Sequence, residues 1–245
     1  MRKHSFVIFP LLMLLIAGCG AGKEKRERIA RERESWESSL SDSITAARAM
    51  QDSVKGRLDE LQTSTNELLS RFRCVDNPRE VEKYYLPDVK GATYPLTRTG
   101  LTARLTASET LELIAVNTSR PFDQIEVRRG GESAASAVVP HDQALNYRNG
   151  TMTTVAFSGT AADSVAALVA SMPEREVTLL FIQGFIQGGA TVATVPLSAI
   201  DRECVSLAWR LADARREVRL SEKRLTQLAR RIAIIESKRA ELNAE

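Results

Sequence analysis

The sequence predicts an α+β protein: a long antiparallel α-helical coiled-coil stalk with an inserted, mostly antiparallel β domain, sandwich-like and carrying one short helix. Three observations carry that expectation. Lys23–Cys74 and Ala199–Glu245 contain no proline and a single glycine, Gly56. Proline in a helix interior costs about 3 kcal/mol and glycine about 1 kcal/mol, so stretches cleared of both read as helices. Beyond residue 19 the prolines fall at 78, 87, 95, 121, 140, 173 and 196, inside one window that also holds all four tyrosines and alone shows strand-like alternation.

Taken in order, Arg2 and Lys3 precede a thirteen-residue apolar run, Phe6–Gly18. That run is too short to span a bilayer as a helix and suits the apolar region of a secretory signal. It ends in Leu15-Ile16-Ala17-Gly18-Cys19, which resembles the lipobox of bacterial lipoprotein precursors: an aliphatic residue, two small residues, then cysteine. The resemblance covers residues 1–19 only. It implies removal of residues 1–18 as a signal peptide and lipidation of Cys19, palmitate included, on its thiol and new amino group. Three acyl chains exceed the two signals that stable anchoring takes. Gly20-Ala21-Gly22 follow, with no aspartate beside the anchor. By resemblance to enterobacterial precursors, that implies the outer membrane, facing the periplasm. The alternative is an ordinary secreted protein with a cysteine near its cleavage site.

Residues 19–28 read as the lipidated cysteine and a charged tether, and 29–74 as the first stalk helix. Alternate steps of four and three from Leu40 reach Ile44, Ala47, Gln51, Val54, Leu58, Leu61, Thr65, Leu68 and Phe72, with eight of ten apolar. Ile29 and Trp36 extend the seam less regularly, and Lys23–Glu34 is largely alternating charge, a solvated helix or a frayed tether. The last helix, 199–245, is cleaner. Steps from Ile200 reach Cys204, Leu207, Leu211, Ala214, Val218, Ser221, Leu225, Leu228, Ile232, Ile235, Arg239 and Leu242. A 3.5-residue period this long suits a coiled-coil partner. Ser198-Ala199-Ile200-Asp201 looks like its N-terminal cap. Helices of 45–50 residues reach roughly 70 Å at 1.5 Å per residue, enough to hold the inserted domain away from the lipid. The same seams also allow chains to assemble into dimers or trimers.

The insert, 75–198, alternates over Leu101–Thr106, Leu111–Val116, Gln124–Arg128, Ala134–Val139, Met152–Phe157, Val177–Gln183 and Thr191–Val195. Arg129-Gly130-Gly131-Glu132 reads as a hairpin turn and Ala161–Ser171 as the short helix. Phe181–Gly189 is a small duplicated unit whose glycines put Phe185 and Ile186 near a hairpin tip. With Cys19 lipidated, Cys74 and Cys204 are the remaining thiols. Antiparallel helices would bring them together at the neck, where a disulfide closing about 130 residues is worth roughly 5 kcal/mol. Free buried thiols or an intermolecular bridge are the alternatives.

Composition excludes several classes. Without Arg2 and Lys3 there are 32 basic against 31 acidic residues, and aromatics are 5%; neither favours nucleic acid. The insert holds 10 basic against 13 acidic residues, so no strongly anionic ligand is expected. There is no phosphate loop, dinucleotide fingerprint or Gly-x-Ser-x-Gly elbow. The cysteines form no C-x-x-C, and the chain past Cys19 has one histidine, His141, so no catalytic, cofactor or metal site is expected. Glu109, Glu112, Asp123 and Glu126 are scattered and read as a solvated face. Tyr84 and Tyr85, with Tyr94, could stack on a sugar or peptide or pack against the helices; Phe185 and Ile186 are the other partner-contact candidates. The expectation is a non-enzymatic, membrane-anchored envelope lipoprotein whose stalk presents a domain to a protein or envelope polymer. A glycan- or peptide-binding module is the alternative, and a carboxylate-dependent hydrolase a remote one.

Overall fold

A computed structural model describes residues 22–78, 80–139, 146–171, 175–184 and 189–244. In chain order the elements are α1 (Gly22–Leu69), β1 (Phe72–Val75), β2 (Tyr84–Pro87), β3 (Gly100–Thr106), β4 (Leu111–Asn117), β5 (Gln124–Arg129), β6 (Glu132–Ala135), β7 (Asn146–Asn149), β8 (Met152–Phe157), α2 (Gly159–Ala170), β9 (Thr178–Gln183), β10 (Ala190–Pro196) and α3 (Ala199–Ala244). The described residues form two compact units, one from 22–52 with 226–244 and one from those within 53–225.

The larger unit is α+β. Its strands make two sheets, ordered β1-β2-β3-β4-β8-β7 and β10-β9-β5-β6, and every pairing is antiparallel. Alternation explains the core. Leu101, Ala103 and Leu105 of β3, Leu111, Leu113 and Ala115 of β4, and Val155 and Phe157 of β8 point to one side of the first sheet. They share a single buried cluster with Ile125 and Val127 of β5 and Leu179 and Phe181 of β9. α2 adds Ala162, Val165, Ala166 and Val169, and α3 adds Val205, Ala208, Leu211 and Ala212. The inner part of α3 is therefore a core element of this unit. Arg129 and Glu132 pair across the β5–β6 turn, where Gly130 has φ +57°, as the Gly-Gly pair predicts.

The first helix differs from expectation at both ends. It begins at Gly22, within the anticipated tether, and stops at Leu69 rather than 74. Residues Phe72–Val75 instead ladder with Tyr84–Pro87 as an edge strand. Sheet hydrogen bonds outweigh the weak helix preference of this short run. The cap of α3 forms in half: the Asp201 backbone N–H donates to Ser198 Oγ at 3.1 Å, while the Asp201 carboxylate is taken by Arg98.

In the smaller unit, Arg48 meets Glu236 at 2.7 Å, Arg239 meets Glu37 at 3.7 Å, and Arg33 donates to the Leu242 carbonyl. Moving back along α1 moves forward along α3, so these segments run antiparallel. From residue 218 onward the covered residues of α3 are Val218, Ser221, Leu225, Leu228, Ile232, Ile235, Arg239 and Leu242, and those between are exposed. On α1, Leu40, Ile44, Ala47, Gln51, Val54, Leu58, Leu61 and Thr65 are all covered. Ile29 and Trp36 do not join this stripe, being 51% and 65% exposed. Steps of four and three back from Leu40 land on Glu37 and Arg33, one residue off Trp36, and those two are the covered positions.

Candidate functional site

The face of β3 that turns away from the sheet-to-sheet core carries Thr102, Arg104 and Thr106. Alternation alone would leave such a face in water, yet Thr102 and Thr106 are buried. Thr102 lies against Cys204 of α3, Thr106 Oγ1 bonds Ser108 and accepts the Thr110 backbone N–H, and between them sits Arg104. Its guanidinium lies 4.5 Å from the Tyr84 ring centroid, pairs with Glu112 on β4, meets Glu80 at 3.2 Å, and donates to Tyr94 Oη at 3.1 Å. Tyr94 in turn packs 5.8 Å from Tyr84. Burial pushes the Tyr94 phenol up to about 12, despite the nearby Arg104 charge.

Of the two roles the sequence leaves open for the tyrosines, stacking on a ligand or packing, this cluster bears on both Tyr84 and Tyr85. Tyr84 is 4% exposed and cannot offer a face to a ligand. Tyr85, on the opposite face of β2, is half-buried against the core, with the Arg215 guanidinium of α3 4.9 Å from its ring centroid. A sugar or peptide would have to displace a cation from each ring. Phe185, Ile186, His141 and Cys19 lie outside the described residues.

The carboxylates expected on a solvated face are instead engaged. Glu112 pairs with Arg104, Glu126 meets Arg128 at 2.7 Å, and Asp123 Oδ1 accepts the Gly184 backbone N–H. Glu109 is the most constrained. It occupies the β3–β4 turn at φ +66°, where glycine is the easier residue. Its carboxylate lies 3.0 Å from Arg219 and 3.9 Å from Arg215. Oε2 is buried and sits off the line of a directional hydrogen bond, so the contact with Arg219 is ionic.

Around that contact opens a groove of about 460 Å³, lined by Gln62, Thr65 and Asn66 of α1, Glu109, and Arg215, Val218, Arg219 and Glu222 of α3. Two arginines against two glutamates leave it without excess charge. Exposed amides beside paired ions suit a polar, neutral chain segment that donates and accepts hydrogen bonds. Among the described residues no group of three or more His, Cys, Asp or Glu could hold a metal ion. No helix of the described residues is long and apolar enough to cross a membrane.

The two neck cysteines lie in different surroundings. Both are free thiols. Cys74 is exposed on the edge strand β1, whereas Cys204 is buried on α3 beside Val89 and Leu207, with Phe72 packed against them. The strand that replaces the end of the predicted first helix carries Cys74 outward, which separates its surroundings from those of Cys204. Burial, then the Asp201 charge, pushes the Cys204 thiol up to about 11.

Three arginine contacts had no counterpart in the sequence reading. Arg98 grips Asp201 bidentately at 2.9 and 2.6 Å, and Asp201 is 2% exposed. Gly100 makes room for the pair, since a Cβ there would sit 2.7 Å from Arg98 Nη1 and 2.9 Å from Asp201 Oδ2. Arg129 ties the end of α2, donating to the Leu168 carbonyl at 2.9 Å and to Ser171 Oγ at 2.6 Å. Arg104 carries the tyrosine cluster. A glycine opening a strand, Gly100 of β3, was the one visible hint; partners 8 to 103 residues away, on other elements, leave no local pattern. No protein-family model matches the chain, and neither a curated protein nor a solved structure does.

Proposed function

We propose that the chain is a non-enzymatic lipoprotein of the bacterial envelope, anchored through Cys19 in the outer membrane and facing the periplasm. Its paired helices act as an antiparallel coiled-coil stalk that presents the β-rich unit to a protein or envelope-polymer partner. The observation that carries the stalk is the stripe of covered residues in alternating steps of four and three on both long helices. The antiparallel contacts of Arg48, Glu37 and Arg33 with the end of α3 support it. The anchor rests on the lipobox resemblance of Leu15–Cys19.

The partner class follows from chemistry. Tyr84 and Tyr85 are occupied by arginines, which weakens a glycan-stacking role. The neutral groove around Glu109 favours, as the second reading, a peptide segment bound at the same unit.

The experiment is a Cys19→Ala substitution with fatty-acid labelling and membrane fractionation. The anchor predicts loss of label and release from the membrane fraction; unchanged maturation and fractionation overturn it. In-cell crosslinking then separates the partners. A stoichiometric protein adduct supports presentation to a protein, and recovery on cell-wall material supports the polymer.

A further inference from the structure

Arg215 and Arg219 converge on one internal carboxylate, and neither makes a hydrogen bond with it. Arg215 Nη1 lies 3.9 Å from Glu109 Oε1, beyond hydrogen-bond reach, and Arg219 Nη1 lies 3.0 Å from the buried Oε2 but out of line. A guanidinium offers five N–H donors in a fork that fits a carboxylate bidentately. Arg98 uses that fork on Asp201 in this same chain, at 2.9 and 2.6 Å. By comparison, Glu109 holds the place of a carboxylate without making a carboxylate's bonds.

The backbone explains the misfit. The β3–β4 turn is pinned from elsewhere: Glu82 accepts from the Ser108 N–H at 2.7 Å and from Ser108 Oγ at 2.9 Å, and the Thr110 N–H donates to Thr106 Oγ1 at 3.1 Å. Glu109 stands in that turn at φ +66° and reaches α3 with its side chain alone. Arg215 is held too, with its guanidinium 4.9 Å from the Tyr85 ring centroid. A carboxylate that is not tethered to the turn is free to meet the two arginines in line.

We propose that the groove beside Glu109 binds a peptide through a carboxylate that takes the place of Glu109 on Arg215 and Arg219. The arginine pair is within reach of a ligand, since the Arg219 side chain is 54% exposed. The Glu109 side chain, 27% exposed, leaves by rotating into water while the turn stays in place. Gln62 and Asn66, exposed and four residues apart on one face of α1, line the same groove. Their amides donate to and accept from a peptide backbone. Charge narrows the ligand further. Exchanging one carboxylate for another keeps the balance of the groove, whereas each further acid would meet Glu222. The ligand is therefore a peptide with a single carboxylate, at its chain end or on one side chain.

This inference rests on the reading of a peptide bound at this unit and is independent of the anchor. Its test is fluorescence polarisation with the full chain in mild detergent and three amino-labelled probes: Gly-Ala-Ala-Ala with a free carboxyl end, the same peptide as its amide, and the amide of Gly-Ala-Glu-Ala. At least one carboxylate probe should bind and the plain amide should not; which of the two binds separates a chain end from an acidic side chain. Glu109→Gln removes the competing charge and should tighten that binding about tenfold, and Arg219→Gln should weaken it about tenfold, as loss of a charge-assisted hydrogen bond does. Gln62→Ala with Asn66→Ala, both at exposed helix positions, should weaken it several-fold in a chain of unchanged helicity. Equal binding of all three probes, unaltered by Glu109→Gln, overturns the carboxylate exchange and leaves the peptide reading standing. Carboxylate binding that none of these substitutions changes overturns the groove as its site. No binding of any probe at about 5 mM, to the parent or to Glu109→Gln, overturns both.

Discussion

At the scale of single residues, Glu109 is the side chain whose conformation and contacts point in opposite directions. Its φ of +66° costs a non-glycine residue on the order of 1 kcal/mol, while its carboxylate ties the β3–β4 turn to Arg215 and Arg219 of α3. Glu109→Ala keeps the strain and loses the tie, so it should destabilise by about 1–2 kcal/mol. Glu109→Gly loses the tie but relieves the strain, and should recover about 1 kcal/mol of that. Urea unfolding midpoints rank the three proteins; an alanine variant as stable as the parent would refute the tie. Two buried groups set an alkaline limit. Tyr94 and Cys204 hold their protons up to about 12 and about 11, against ordinary values of 10.0 and 9.0. The folded state thus keeps protons that the unfolded chain loses, so stability is full below pH 9 and falls as pH rises through these values. Tyr94→Phe should flatten the upper part of that decline, and a curve that does not change would remove the phenol as its cause. Native alkylation should label Cys74 and spare Cys204 until the protein unfolds, read by mass spectrometry. The sequence singled out Glu109, Tyr94, Cys74 and Cys204 but not these roles for them, because burial and partners decide their chemistry.

At the scale of elements, the sequence was read best where one periodicity ran long. Strands β3, β4, β5, β8, β9 and β10 and helix α2 lie within a residue or two of the expected ranges. The run expected at Ala134–Val139 is only partly a strand, β6 ending at Ala135. β1, β2 and β7 went unread, since four residues give alternation too few repeats to register. The outer helices offer the sharpest test. Leu228 and Ile232 are buried on a stripe whose neighbours are exposed. Replacing both with aspartate removes their burial and strands two charges there, a loss of several kcal/mol. Helical circular dichroism should fall while near-ultraviolet signals from the aromatic cluster of Phe122, Phe157 and Phe181 persist. Undiminished helicity would rule out the pairing of these segments.

At the scale of the whole molecule, the two units have different sources of stability. The larger holds the single apolar cluster that joins both sheets, α2 and the inner part of α3. The smaller holds Ile44, Ala47, Leu228 and Ile232 as its buried apolar residues, and Gly22–Glu32 is exposed throughout. Amide hydrogen exchange should therefore be slowest in β3, β4 and β9, faster in 226–244, and fastest in Gly22–Glu32. Protection in Gly22–Glu32 equal to that of the central strands would contradict this order. By itself the sequence determined the division into long helices and a β-rich insert, the seam on each helix, and most strand positions. All of these are written in local spacing, and backbone geometry turns spacing directly into a face. Only the tertiary structure decided that Tyr84 and Tyr85 lie under arginines, that Cys74 faces outward from an edge strand, and that Glu109 sits between Arg215 and Arg219. Those outcomes depend on which distant segments share a surface, and burial is conferred by whatever element arrives to cover it.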